Sequence, residues 1–242
     1  MNYSIIIPTL NEEKLLPNLL RQVYSDELRR LYDVEIIISD GGSRDNTVEL
    51  ALEMSDIVKV HNSRNKQNIA GGRNVGAKQA SGGVFIFING DVLIPDITDF
   101  FEYIDKKFIP SGYLAMTCRV KVFPEEEILM DKLYHGFYNT YFILLNKIGI
   151  GMGRGECQIV RKEIFNKLGG FNETLAAGED FDLFRRIRKQ GKILFAKDLC
   201  VYESPRRFRK LGYKQVSWSW LKNGLSVLLK NKSISKEWEQ VR

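Results

Sequence analysis

The chain has 242 residues, 44% of them hydrophobic, which suffices for one sizeable core with appendages or for two small lobes. Its formal net charge of +6, from 36 Lys and Arg against 30 Asp and Glu, suits anionic substrates, an anionic membrane surface or nucleic acid without choosing among them. No apolar run reaches the ~18 residues of a membrane span, Met1-Asn2-Tyr3-Ser4 lacks a basic leader, and three scattered cysteines (Cys118, Cys157, Cys200) with two isolated histidines (His61, His135) exclude a disulfide framework, a zinc site and an obvious Ser-His-Asp triad.

Ser4-Ile5-Ile6-Ile7 is a β-branched run that reads as a strand, stopped by Pro8. Thr9-Leu10-Asn11-Glu12 then leads into apolar residues at helical spacing, from Leu15 to Val23, with Thr9 or Asn11 placed to cap that helix. Val34 to Ile38 reads as a second strand. It ends in Ser39-Asp40-Gly41-Gly42-Ser43-Arg44-Asp45-Asn46-Thr47, whose glycines let a backbone approach a ligand closely. Asp45 can cap the helix that follows, which leaves Asp40 at the strand's end, suited to a nucleobase N–H or a ribose hydroxyl. Ile57 to Val60 is a third strand, and Gln67 to Ala80 a helix of small residues. That helix carries Arg73, whose planar donors suit phosphate or base oxygens, or else an ordinary ion pair.

Phe85-Ile86-Phe87-Ile88 is apolar on both faces, as a buried strand of a parallel sheet is, and it ends abruptly in Asn89-Gly90-Asp91. Asn-Gly-Asp makes a good turn. At a strand's carboxyl end, where open α/β sheets bind ligands, Asp91 also suits a divalent cation carrying phosphate. Strands alternating with helices up to this point indicate βαβ units, and one crevice could gather Asn11, Glu12, Asp40, Arg73 and Asp91.

Further on, Pro95-Asp96 opens a helix carrying Phe100, Phe101, Ile104 and Phe108, and Tyr113 to Val122 alternates as a strand. Glu125-Glu126-Glu127 starts an amphipathic helix that passes into the aromatic stretch Phe137 to Leu145, read as core helix or as a membrane- or acceptor-facing surface. Ile148 to Gly155 is glycine-rich and reads as a mobile lid or a loop permitting close substrate approach. Glu156 to Val160 is a strand, Ile164 to Leu168 a helical turn and Gly169 to Glu173 a loop. In Gly178-Glu179-Asp180-Phe181-Asp182 acids open a helix, where its dipole favours them. One carboxylate of Glu179-Asp180, placed in a cleft, could instead take a proton from an acceptor hydroxyl. Ile193 to Ala196 is a last strand. Tyr202 to Lys210 is a basic loop whose Arg206 and Arg207 could clamp a diphosphate or meet lipid headgroups. Val216 to Leu229, with Trp218 and Trp220, reads as an interfacial amphipathic helix or one packed on the core or a second subunit, and the polar tail from Asn231 is expected to fray.

Several of these segments carry a family resemblance. Ser4-Ile5-Ile6-Ile7-Pro8-Thr9-Leu10-Asn11-Glu12 resembles the opening of family 2 glycosyltransferases, which have the GT-A fold. Ser39 to Thr47 is similar to that family's Asp-Asp-Gly-Ser-x-Asp-x-Thr segment, and Ala70-Gly71-Gly72-Arg73-Asn74-Val75-Gly76 to its Ala-x-x-Arg-Asn-x-Gly helix. Asn89-Gly90-Asp91 stands where the family has its Asp-x-Asp metal motif, and Gly178-Glu179-Asp180 looks like the pair holding its catalytic base. Each motif is weak alone; in order from residue 4 to 210 they are specific.

The resemblance implies an α/β, Rossmann-like nucleotide-diphospho-sugar transferase fold, with a mostly parallel central sheet flanked by helices. Residues 1–210 would form the GT-A domain, with 1–91 the nucleotide-binding half and 92–210 the acceptor-binding half, followed by a C-terminal amphipathic helical extension over 211–242. Pro8, Thr9, Glu12 and Asp40 would contact base and ribose, with Arg73 beside them. Asn11, Gly42, Ser43, Asn89 and Gly90 complete the nucleotide-binding set. Asp91 would bind Mg²⁺ or Mn²⁺ bridging the donor diphosphate. Asp180, paired with Glu179, would be the general base of an inverting transfer, and Arg206 and Arg207 would lie near the diphosphate or acceptor. The implied donor is UDP- or GDP-linked. The implied acceptor is a glycan or a polyprenyl-phosphate-type lipid, in cell-envelope glycan assembly. The expected location is cytoplasmic, with peripheral contact on the inner face of the membrane and a homodimer left open.

Two positions depart from the pattern. Asn89 replaces the first aspartate of the metal motif, and Ser39 the first of the Asp-Asp pair. The alternative reading is therefore a nucleotide-sugar binding or regulatory module with weakened catalysis. An NAD-dependent oxidoreductase fails for want of Gly-x-Gly-x-x-Gly after the first strand, and a nucleic-acid binder leaves the ordered carboxylates at strand ends unexplained.

Overall fold

A computed structural model describes residues 2–63, 67–235 and 241. Its strands are β1 (Tyr3–Thr9), β2 (Val34–Asp40), β3 (Ile57–Val60), β4 (Val84–Ile88), β5 (Val92–Leu93), β6 (Tyr113–Val122), β7 (Cys157–Arg161) and β8 (Lys192–Glu203). They form one sheet in the order β3-β2-β1-β4-β7-β6-β8-β5. β1 pairs in parallel with β2 and β4, β2 with β3, and β6 with β8. β7 runs against both β4 and β6, and β5 against β8. The sheet is therefore mixed but mostly parallel, and β7 joins two parallel units.

The strands alternate side chains between two cores, as a pleated backbone requires. Ile5, Ile7, Ile36, Ile38, Ile86 and Ile88 enter one core with Leu16 and Leu19 of α1 (Leu16–Val23) and with Phe100 and Phe101 of α5 (Ile97–Tyr103). In chain order between them come α2 (Asp26–Tyr32), α3 (Thr47–Glu53) and α4 (Ile69–Gln79). On the opposite face Ile6, Ile37, Phe85 and Phe87 meet Ala70 and Ala77 of α4 and the aromatic rings of Phe165 and Phe184. Full burial of such aromatic or branched side chains contributes about 1.5–3 kcal/mol each. α4 lies so close that a Cβ on Gly76 would sit 2.5 Å from Ile6 Cγ2.

The remaining helices are α6 (Leu129–Lys147), α7 (Lys162–Lys167), α8 (Glu179–Arg188), α9 (Arg206–Leu211) and α10 (Tyr213–Lys230). α7 and α8 complete the second core, while α6 meets β6 and α10 meets α8 and α9.

Several boundaries differ from the sequence reading. α2 was not anticipated. α1 carries no side-chain cap: Thr9 ends β1, and Asn11 is left-handed at φ 54°. α6 begins at Leu129 rather than at Glu125, because Asp131 reaches back to accept the Ile128 N–H (2.9 Å). β8 continues from Lys192 to Glu203 through an irregularity opposite Cys118 and Arg119. The expected basic loop is the end of β8 followed by α9. The glycine-rich loop before β7 is pinned: the Asn146 side chain bonds both the N–H and the carbonyl of Met152 (2.8 Å each). Gly151, at φ +84°, and Gly153 let it press on α8, since a Cβ on Gly153 would lie 2.5 Å from the Phe184 ring. The start of the tail is also tied down, Asn223 accepting the N–H groups of Ile234 and Ser235. Residues 236–240 and 242, over which fraying was also expected, lie outside the described residues.

Candidate active site

The carboxyl ends of β1 and β4 open on a cavity of about 1220 Å³. Its first end is walled by Pro8, Thr9, Glu12, Arg73, Asn89 and Asp91. Asp180, Glu203 and Arg206 stand along it, and its far end is apolar, with Tyr138, Phe142 and Trp220.

Arg73 is a buried tie rather than an open anion-binding arm. Its Nη1 donates to Glu179 Oε1 at 2.8 Å, and its Nη2 donates to Asn89 Oδ1 at 3.1 Å and to the Gly155 carbonyl at 2.7 Å. A buried ion pair repays its desolvation only when such further hydrogen bonds satisfy it. One guanidinium thereby holds the start of α8, the turn after β4 and the approach to β7 in one register. Asn89 is legible in this setting, as the neutral acceptor that faces Arg73.

Gly178, left-handed at φ +82°, turns the chain into α8 and presents Glu179 and Asp180 together. Burial, and then the adjacent Glu179 charge, push the Asp180 carboxyl up to about 7 against the pull of Arg73. Asp180 Oδ1 accepts the Phe181 N–H at 2.7 Å, and a Cβ on Gly155 would lie 3.1 Å from its Oδ2. A carboxylate so tuned suits general-base work near neutral pH.

Arg206 bridges two carboxylates. Its Nη2 donates to Glu12 Oε1 at 2.7 Å and to Asp91 Oδ2 at 2.9 Å, and the Ser204 N–H donates to the Asp91 carbonyl. Arg207 also lines the cavity. Asp40 is placed differently. Fully buried, it accepts the N–H groups of Gly42 and Ser43, the Ser43 hydroxyl and the Thr9 hydroxyl. The Asn11 N–H donates to Ser43 Oγ. Asn11, Asp40, Gly42 and Ser43 thus form a bonded turn behind the wall, while Ser39 and Gly41 line it.

A second ionic cluster escaped the sequence reading. Arg154 is buried and donates to Glu156 Oε2 at 3.1 Å and to Glu203 Oε1 at 3.4 Å. Burial and then the Glu156 charge push the Glu203 carboxyl well above the usual carboxylate range, against the pull of Arg154. For Glu156 burial pulls upward, but the Arg154 guanidinium prevails and holds it low. Burial, with Arg154 beside it, pushes the neighbouring His135 down to about 4, so it is neutral at pH 7. Nothing in the sequence marks this cluster: Glu203 falls in the expected basic loop, and only the fold sets it opposite Val92, at the sheet end where Asp91 emerges. Among the described residues no three His, Cys, Asp or Glu side chains are grouped to hold a metal unaided. Asp91 fits the habit of Mg²⁺ and Mn²⁺ sites in which one carboxylate shares the ion with phosphate oxygens.

The family described as glycosyl transferase family 2 matches residues 4–169. The chain belongs to that family. This family 2 glycosyltransferase is 25% identical over 213 residues to the O-antigen chain rhamnosyltransferase RfbN of Salmonella typhimurium, the match covering 84% of this chain and 67% of the relative. Over 97 residues it is 37% identical to the undecaprenyl-phosphate 4-deoxy-4-formamido-L-arabinose transferase of Pseudomonas fluorescens, covering 38% of this chain and 28% of that one. Among solved structures, the mannosyltransferase PcManGT from Pyrobaculum calidifontis, in complex with GDP-Man and Mn²⁺, aligns with a TM-score of 0.70 at 20% identity, covering 93% of this chain and 61% of the other. At that identity the likeness shows the shared GT-A fold. The chain spans two thirds or less of the length of these proteins.

Proposed function

We propose that this glycosyltransferase moves a sugar from a UDP- or GDP-linked donor to an acceptor hydroxyl or phosphate, with inversion. The observation that carries the reading is a carboxyl poised near pH 7, Asp180, in the same cavity as Asp91 and Arg206. Asp180 takes the acceptor's proton as the acceptor oxygen attacks the anomeric carbon and the bond to the nucleoside diphosphate breaks. Arg73 and Glu179 hold Asp180 in place through the start of α8. Arg206 and Arg207 face the departing diphosphate, where cationic donors offset developing charge. Mg²⁺ or Mn²⁺, held by Asp91 and the diphosphate oxygens, would supply Lewis-acid stabilisation of the same leaving group; the GDP-Man and Mn²⁺ bound by the structural neighbour support that reading. Pro8, Thr9 and Glu12 wall the end suited to the nucleotide, with Asp40 shaping the turn behind them. The aromatic far end favours an acceptor carried on an apolar group, as in lipid-linked cell-envelope glycans, in line with the undecaprenyl-phosphate relative.

A panel of nucleotide sugars assayed for donor turnover with Mn²⁺ tests the proposal. The expected result is turnover with one base, cut roughly 10²–10⁴-fold in Asp180→Asn while the nucleoside diphosphate still raises the melting temperature of that variant. Donor binding without turnover in the wild type would instead favour the binding module.

A further inference from the structure

Two helices of this protein turn a row of large apolar side chains outward. In α6 the buried positions are Asp131, Tyr134, His135, Asn139 and Phe142, while Leu129, Leu133, Phe137, Tyr141 and Leu144, with Ile148 just past its end, form one exposed stripe at steps of three or four residues. In α10 the buried face holds Val216, Asn223, Ser226 and Val227, while Trp218, Leu221, Leu225, Leu228 and Leu229 are exposed. Leu129 is 72% exposed, Phe137 64%, Ile148 71% and Leu229 76%. A surface helix normally turns its apolar stripe inward, and contiguous apolar surface turned outward marks an interaction face.

The charges on that face distinguish the occupant. α10 contains Lys214, Lys222 and Lys230, all exposed, and no acidic residue. Lys222 Nζ lies 4.9 Å over the Trp218 ring, within the stripe itself. Lys132 and Lys147 are exposed on α6. A second copy of the chain meeting this face would bring like charges together, whereas an anionic lipid surface complements lysine beside tryptophan and leucine. No helix among the described residues is long and apolar enough to cross a membrane, so such a face would lie in the interface rather than span it.

The geometry points to a monotopic membrane-docking face made of the α6 and α10 stripes, which seats the enzyme on an anionic bilayer with its cavity opening into the lipid. Phe137 and Tyr141 from α6, and Trp218, Leu221 and Leu225 from α10, belong at once to the stripes and to the cavity wall. The same cavity holds Asp91 and Asp180. An amphiphilic acceptor can therefore bring its head group to Asp180 while its apolar part stays in the bilayer. The docking face stands on surface chemistry alone and does not depend on the donor reading.

The test is co-sedimentation of the full chain with vesicles of phosphatidylcholine, with and without phosphatidylglycerol. The expected result is binding to the anionic vesicles, weakened by salt, with a blue shift of tryptophan emission. Each of Lys214→Gln, Lys222→Gln and Lys230→Gln should weaken binding about 5-fold. Leu221→Glu with Leu225→Glu should weaken it at least ~10-fold, since burial of both leucines is lost. The melting-temperature rise with Mn²⁺ and a nucleoside diphosphate, read on every variant, reports folding and the donor site separately. No binding to anionic vesicles would overturn the proposal, as would binding that the leucine variants leave unchanged. So would a wild-type dimer in gel filtration that the leucine variants dissolve, because the face would then belong to a second copy.

Discussion

At Asp180 the same carboxyl that suits catalysis works against the fold. With its carboxyl raised to about 7 by burial and by Glu179, its unfolded counterpart ionises near 4 while the folded group stays protonated. Between those values the unfolded chain releases a proton that the native state keeps, so the cost to stability grows with pH and levels off above 7. Asp180→Asn removes that cost. The variant should gain nothing at pH 4 and on the order of 1–4 kcal/mol above pH 7, read as a melting-temperature difference that widens with pH. Activity runs the other way. In the wild type kcat/KM should rise as pH passes through about 7 if Asp180 is the base proposed, since it must be ionised, and Asp180→Asn should lose roughly 10²–10⁴-fold. A melting-temperature difference independent of pH would remove Asp180 from the role of raised carboxyl. Residue pattern alone offers Glu179-Asp180 as a pair, and only the family resemblance singles out Asp180 as the base. Glu179 is bound by Arg73, 106 residues earlier in the chain, and only the folded contact separates an anchored carboxylate from a poised one.

Elements were legible where local pattern and tertiary demand coincide. β1, β2 and β4 are apolar runs buried along almost their whole length, so their hydrophobicity alone identifies them. Agreement fails where long-range contacts set the boundary. The acids at Glu125 to Glu127 look like a first helical turn, yet Asp131, buried beneath Arg209 and Tyr213, fixes the true start four residues later than Glu125. The glycine-rich loop reads as a mobile lid or as a loop permitting close substrate approach; Gly153 and Gly155 do line the cavity, while Gly151 and Gly153 press the loop on α8. Gly153→Ala would place a methyl 2.5 Å from the Phe184 ring, and Phe184 is itself packed in the second core. Overpacking of this kind typically costs about 1–3 kcal/mol. For a chain of this size the expected fall in melting temperature is about 2–4 °C per kcal/mol. An unaltered melting temperature would return the loop to the mobile reading.

Across the whole molecule, α9 spans the two ends of the cavity. Arg206, the first residue of α9, grips Glu12 and Asp91 at the end proposed for the nucleotide. Two residues on, Phe208 stacks on Tyr213 at 5.5 Å between centroids and meets Trp220 edge-on, inside the aromatic cluster that walls the other end. On the proposed reading, a nucleoside diphosphate with its cation would compete for the groups Arg206 holds: the anion for the guanidinium, the cation for Asp91. Such binding would repartition Arg206 between carboxylates and phosphate, and the Phe208 stack is expected to pass any movement of α9 to Trp220. With Trp218→Phe and Trp238→Phe (the latter outside the described residues) in place, Trp220 becomes the sole reporter. Adding Mn²⁺ and a nucleoside diphosphate should then change its emission. Arg206→Met should suppress that change and weaken nucleoside diphosphate binding by about 10–100-fold, the worth of charge-assisted hydrogen bonds. An emission change that survives in Arg206→Met would mean that the far wall senses the nucleotide by another route. An emission that never changes would mean that the acceptor end is already in its working form before the donor arrives.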